Sequence, residues 1–215
     1  MVERLIESVR IIDGRAPLWP LHQWRIMNSA LALGLALPDV VAPTGGPDRM
    51  VRLEIGAEGV DVTERDLPSL DPIQLSIAAA PHRGYPHKTT SRAWLEAART
   101  SSRIGGADDA LLFDADGRLI EASRFAIGWW DGETLVFPPL ALGGLASVAR
   151  ARLREVTRNG IQEAVLHRDD LARRPLVACN AVRGVIEVAM LDGKPVGSNS
   201  RTAMLARRFW DRPGA

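Results

Sequence analysis

The stretch Asp109-Ala110-Leu111-Leu112-Phe113, then Asp114-Ala115-Asp116-Gly117, then Leu119-Ile120-Glu121 reads as a strand, a turn and a strand. The arrangement repeats at once: residues 126–130 and 134–137 flank Asp131-Gly132. Short apolar runs joined by Asp-Gly signals predict antiparallel hairpins, because glycine supplies the positive φ that a tight turn needs. Upstream, 73–79 predicts a strand. Residues 89–103 predict a helix with Thr89, Thr90 or Ser91 as N-cap. Downstream, Pro138-Pro139 and Gly143-Gly144 form a loop that opens a helix over 147–158, stopped by Asn159-Gly160. Strands over 161–166, 176–178 and 185–191, a turn at Asp192-Gly193 and a helix over 199–210 complete this half.

The N-terminal half is shorter. Residues 5–12 predict a strand running into an Asp13-Gly14 turn. Residues 21–35 predict a helix, with Trp24, Met27, Leu31 and Leu35 spaced by three or four. Strands over 50–55 and 60–63 surround Gly56-Ala57-Glu58-Gly59. Residues 64–72 carry two prolines and three acidic residues. The order predicts an α+β protein with mostly antiparallel sheets. A small domain spans 1–68, a linker 69–72 and a larger domain 73–215. Regular β–α–β alternation is absent, which argues against a doubly wound fold. So are the glycine-rich nucleotide loops and the G-x-S-x-G elbow.

The chain has 215 residues, 46% hydrophobic and 25% charged, enough to bury a real core and too apolar for a disordered chain. Net charge is +1, so no broad electrostatic footprint for nucleic acid is expected. The single cysteine, Cys179, excludes an internal disulfide and suits a reducing compartment. It reads as a small buried hydrophobe, and Trp129-Trp130 as strand packing. The four histidines lack zinc-ligand spacing, and His22 reads as structural. No apolar run approaches a membrane span and no signal peptide is seen, so the expectation is a cytoplasmic protein.

Of 27 basic residues only Lys88 and Lys194 are lysine. Arginine replaces lysine where only a surface cation is needed. It cannot replace an amine that must lose its proton. Lys194 sits in the Asp192-Gly193 hairpin tip, where a solvated cation suffices. Lys88 precedes the predicted helix at 89–103, whose positive end would favour a neutral amine. Taken alone, Lys88 also fits an exposed turn lysine, Glu121 a solvated strand charge and Arg25 a helix-surface cation.

Six segments, in order, resemble the class IV aminotransferase family, the pyridoxal-phosphate enzymes of fold type IV. They are Leu5-Ile6-Glu7-Ser8-Val9-Arg10 with Asp13-Gly14; His22-x-x-Arg25-x-x-x-Ser29-Ala30; Lys88-Thr89-Thr90-Ser91-Arg92; Gly117-x-x-x-Glu121-Ala122-Ser123-Arg124; Ser147-Val148-Ala149-Arg150; and Cys179-Asn180-Ala181. The last is similar to the aminodeoxychorismate lyase branch. The resemblance implies a two-domain, D-amino-acid aminotransferase-like architecture, shortened at its N-terminus, and a homodimer with the cofactor between its domains.

It also implies roles. Lys88 would hold pyridoxal 5'-phosphate through its amine and then move protons. Glu121 would accept a hydrogen bond from the pyridine nitrogen. Arg25, the N–H groups of Val148 and Ala149, and Asn180 with Ala181 would hold the phosphate. Arg92 and Arg183 are the candidates for substrate carboxylates. The implied reaction is release of pyruvate and 4-aminobenzoate from 4-amino-4-deoxychorismate, a step of folate synthesis. A class IV aminotransferase for branched-chain or D-amino acids is the second reading. A degenerate homologue without cofactor is the third. The chain departs from the family at Ala126, where asparagine is usual, and at Ala149, where threonine is usual. Its only tyrosine, Tyr85, fits poorly as partner for the cofactor's phenolic oxygen.

Overall fold

The computed structural model describes residues 3–157 and 160–211. Strand β1 (Leu5–Ile11) ends in a two-residue turn in which Asp13 and Gly14 both have positive φ. Ile12 and Arg15 close it with a pair of backbone hydrogen bonds of 2.9 and 3.0 Å. Helix α1 (Trp19–Leu33) follows, with Pro20 in its first turn and Gly34 as a left-handed cap. Strands β2 (Arg49–Gly56) and β3 (Gly59–Arg65) complete a three-stranded antiparallel sheet in the order β1-β2-β3. Leu5, Val9, Ile11, Val51, Leu53 and Ile55 alternate onto one face and pack with Ile26 of α1.

The second sheet starts at β4 (Ile73–Ile77). Helix α2 (Ala93–Ile104), strands β5 (Asp109–Phe113), β6 (Leu119–Ala122), β7 (Ala126–Asp131) and β8 (Thr134–Phe137) follow. Then come α3 (Val148–Val156), β9 (Gln162–Glu163), β10 (Leu176–Asn180), β11 (Gly184–Leu191), β12 (Lys194–Pro195) and α4 (Ser200–Phe209). The order is β6-β5-β4-β11-β10-β7-β8-β9, with β12 beside β11. The pairs β4–β5, β4–β11 and β8–β9 are parallel and the rest antiparallel. Both predicted hairpins form. Ile127, Trp129, Val136, Ala178, Ile186 and Val188 fill one core cluster, and Trp130, Phe137, Leu153, Cys179 and Phe209 another.

Four expectations change. Helix α1 runs 19–33, and its apolar stripe faces outward: Trp24, Met27 and Leu31 are 57%, 64% and 83% exposed. The buried face carries His22, Arg25, Ile26 and Ser29. Helix α2 starts at Ala93 with Arg92 as its cap, so Thr89, Thr90 and Ser91 do not cap it and Lys88 lies outside its first turn. Of the strand expected over 161–166 only Gln162–Glu163 forms. Helix α3 ends at Val156; Arg158 and Asn159, part of its expected end, lie outside the described residues.

Candidate active site

The residues Lys88-Thr89-Thr90 lie along the free edge of β1. The Ile6 N–H donates to the Lys88 carbonyl at 2.7 Å, and Thr90 N–H donates to the Arg4 carbonyl at 2.9 Å. A strand-like bridge between Leu5 and Thr89 continues the pairing. The Tyr85 hydroxyl anchors the same loop, donating to the Thr89 carbonyl at 2.6 Å and accepting from the Thr89 N–H at 2.8 Å. Ser29 of α1 reaches His87 Nδ1 at 3.1 Å. The segment bearing Lys88 is thus tied to β1 and α1.

Its side chain meets a cavity of about 250 Å³. Arg25, Lys88, Arg92, Glu121, Val148, Asn180, Ala181 and Arg183 all line it. Ala149 does not; it is fully buried behind Val148 in the core. Seven arginines and Lys88 face two glutamates, Glu96 and Glu121. Desolvation is the largest influence on Lys88 and the charges of Arg25 and Arg92 add to it; Glu7 opposes them, and the amine is lowered to about 7. Burial and neighbouring arginines, not the helix dipole expected from the sequence, lower the amine.

At one end of the cavity stands Arg25, held by Glu7 of β1. Arg25 Nε and Nη2 donate to the two Glu7 oxygens at 2.8 and 2.5 Å, and His22 Nδ1 lies 2.6 Å from Glu7 Oε2. Arg25 Nη1 donates to the Ala146 carbonyl at 3.3 Å. These bonds use three of the five guanidinium N–H donors, leaving two for the cavity. Burial alone would raise the Glu7 pKa, but Arg25 and His22 outweigh it and hold the carboxyl at about 2. His22 is also lowered, chiefly by burial. A carboxylate offers only lone pairs, so His22 Nδ1–H must donate, and Nε2 is then a buried acceptor with no hydrogen-bond partner among the described residues.

Near Arg25, Ser147 caps α3, its hydroxyl accepting from Arg150 N–H at 3.4 Å. The N–H groups of Val148 and Ala149 are in the first turn, where a helix has no internal acceptors. On the other side of the cavity Glu121 of β6 accepts from His82 Nε2 at 3.0 Å and from Leu145 N–H at 3.1 Å. Asn180 is largely spent on its own turn: Oδ1 accepts from the N–H groups of Val182 and Arg183 at 3.0 and 2.8 Å. Ser123 and Arg124 brace the β6–β7 turn on Asp109, which accepts from Ser123 Oγ and from Arg124 N–H at 3.0 Å. Cys179 touches the cavity as a fully buried thiol pushed up by desolvation to about 12, too poorly ionised to be a nucleophile.

Sequence reasoning assigned no role to Glu7, the anchor of Arg25, or to His82. The signal for Glu7 was a carboxylate in register with Leu5, Val9 and Ile11, the apolar face of an alternating strand. A wider, polar depression of about 710 Å³, lined by Trp130, Asp131, Asp169, Asp170, Arg174 and Asn199 among others, shares no residue with the lysine cavity.

Residues 63–191 match the family model for amino-transferase class IV, and the chain belongs to that family. It therefore has fold type IV and is a pyridoxal-phosphate-dependent enzyme, a lyase or an aminotransferase. Solved structures agree on the fold. A protein assigned as 4-amino-4-deoxychorismate lyase from Legionella pneumophila superposes with TM-score 0.80 at 18% identity, covering 96% of this chain and 91% of that one. A hypothetical aminotransferase from Mycobacterium tuberculosis, with pyridoxal phosphate bound, gives 0.81 at 21% identity, covering 96% and 87%. The branched-chain aminotransferase of Thermoproteus uzoniensis gives 0.83 at 16% identity, covering 96% and 84%. Comparison with curated proteins returns no match.

The cavity suits this cofactor. A phosphate needs N–H donors, and two free donors of Arg25 and the start of α3 offer them. A protonated pyridine nitrogen needs an acceptor, and Glu121 lines the same cavity. An aldehyde needs an amine, and Lys88 is the only lysine there.

Proposed function

We propose that this enzyme is a 4-amino-4-deoxychorismate lyase, releasing pyruvate and 4-aminobenzoate in folate synthesis. The observation that carries the reading is the excess of guanidinium groups around a deprotonatable amine in one cavity. A small amino substrate with two carboxylates matches that charge; a branched-chain amino acid, with one carboxylate and an apolar side chain, matches it less well. The likeness of Cys179-Asn180-Ala181 to the lyase branch supports the same choice.

When bound, pyridoxal phosphate supplies an aldehyde for the substrate amine and a ring that withdraws electrons from bonds beside it. In our reading Arg25, Val148 and Ala149 N–H, and Asn180 with Ala181 hold its phosphate, and Glu121 accepts from its ring nitrogen. Arg92 and Arg183 hold the substrate carboxylates. The reaction moves one proton from the substrate ring to the departing enolpyruvyl group, and aromatisation drives it. Lys88 is the group to move that proton, because an amine near pH 7 both gives and accepts readily. The third reading, a degenerate homologue, leaves the family's lysine, glutamate and arginine sharing one cavity without a purpose.

We also read 1–68 and 73–215 as two domains joined by 69–72, and the protein as a homodimer. The exposed Trp24, Met27 and Leu31 stripe of α1 supports a second copy of the chain as its cover. The unpaired, buried Cys179 suits the cytoplasm. Among the described residues no helix is long and apolar enough to cross a membrane. The activity is tested by supplying 4-amino-4-deoxychorismate without any keto acid. Release of 4-aminobenzoate by the wild type and not by Lys88→Ala is expected. Strict dependence on 2-oxoglutarate would show the aminotransferase instead.

A further inference from the structure

We propose that His82 is a positioning residue for Glu121, locked in one tautomer so that it fixes the carboxylate meant for the cofactor's ring nitrogen. His82 belongs to the loop between β4 and α2, six residues before Lys88, and no motif singled it out. Its side chain is almost fully buried. Its backbone N–H donates to the Phe113 carbonyl at 2.7 Å, which pins it beside β5. Its ring meets Trp94 edge to face, with centroids 5.0 Å apart.

Both ring nitrogens are committed, and the commitments agree. The Gly84 N–H, which can only donate, reaches Nδ1 at 3.0 Å, so Nδ1 must be the bare acceptor. Nε2 lies 3.0 Å from Glu121 Oε1. A carboxylate can only accept, so Nε2 must carry the proton. One neutral tautomer satisfies both bonds, and the opposite tautomer breaks both. The Leu145 N–H donates to the other carboxylate oxygen at 3.1 Å. Glu121 therefore has one donor on each oxygen, which fixes the plane of the group. A carboxylate has about four acceptor positions. Roughly half remain for a donor in the cavity that Glu121 lines.

The arrangement places two tasks on one loop: Lys88 presents the amine, and His82 holds the carboxylate on the opposite sheet. The inference rests on the cofactor and not on the choice between lyase and aminotransferase.

The test uses cofactor-free protein and two variants. His82→Phe keeps a ring against Trp94 and loses the donor. His82→Gln returns an N–H donor without the ring. Nitrogen-15 NMR of the cofactor-free wild type should show the proton on His82 Nε2; a proton on Nδ1 overturns the proposal. Pyridoxal phosphate is then titrated in, following tryptophan fluorescence and the visible absorption band. The Phe variant should bind about tenfold or more weakly, the effect of losing one hydrogen bond to a charged acceptor, and the Gln variant within about threefold of wild type. Thermal melting confirms that each variant is folded. If wild type and the Phe variant bind equally, or if Gln is as weak as Phe, His82 serves packing alone and the inference fails. If the wild type itself takes up no pyridoxal phosphate, the cofactor reading fails and this inference with it.

Discussion

The cavity lies between two carboxylates, each touched by a histidine, and the two do different work. Glu7 on the small sheet is sealed from water, and its oxygens are taken by His22 and by two nitrogens of Arg25. Glu121 on the large sheet carries one donor per oxygen and still borders the cavity. The same residue pair thus serves as an internal brace in one place and as an open acceptor in the other. The difference is whether the remaining lone pairs are spent on the protein. In our reading Glu7 would act on function through the arginine it aims, and Glu121 would act directly on the cofactor.

Substitution is the sharpest way to break this comparison. Glu7→Gln leaves the Arg25 charge buried without its counter-charge, which costs about 3–5 kcal/mol. Glu121→Gln in cofactor-free protein should cost less, about 1–2 kcal/mol, since its amide N–H2 must face the donor of either His82 or Leu145 but no buried charge is stranded. Urea unfolding at pH 7 compares them, and equal losses would contradict the division of labour. Acid gives the same contrast. The Glu7 carboxyl is lowered from 4.5 to about 2, so its contribution is complete above pH 4.5 and disappears as pH falls toward 2. About 3 kcal/mol should be lost across that window and be missing from the Glu7→Gln profile.

A smaller effect of opposite sign belongs to Lys88. Its pKa is lowered from 10.5 to about 7, so the unfolded chain binds the extra proton between those values. Wild-type stability without cofactor should therefore rise with pH from 7 to 10.5. Because the side chain is not sealed from solvent, Lys88→Met should stabilise the protein at pH 7 by only about 1–3 kcal/mol. It should also flatten that rise; a destabilised variant would contradict the desolvated amine. The smallest change in folding stability, within about 0.5 kcal/mol, is expected for Trp24→Ser on the open face of α1. Light scattering should nonetheless show that variant shifted from the dimer we propose to monomer, and an unchanged mass would remove α1 from that interface.

These contrasts mark what the residues disclose in advance. The Asp-Gly turns announced both hairpins because few residues other than glycine adopt their backbone angles. The motifs around Lys88, Arg25 and Glu121 were readable as separate segments, and the fold brings them to one cavity. The apolar spacing of α1 left its buried face open, because periodicity reports that a helix has two faces without saying which is buried. Here the inward face is polar, since Glu7 and His87 wait for Arg25, His22 and Ser29. Lys88 was credited to a helix end because three hydroxyl residues follow it, but Thr90 spends its hydroxyl on the Arg4 N–H instead. His82 gave no signal, because an isolated histidine in an irregular loop acquires meaning only from what folds against it.

In our reading Lys88 is the residue that carries pyridoxal phosphate. With only two lysines in the chain, borohydride reduction of the loaded protein followed by peptide mass mapping reads the answer directly. A pyridoxyl adduct is expected on the peptide containing Lys88 and none on that containing Lys194. An unmodified Lys88 in protein that has been exposed to the cofactor and reduced would contradict it.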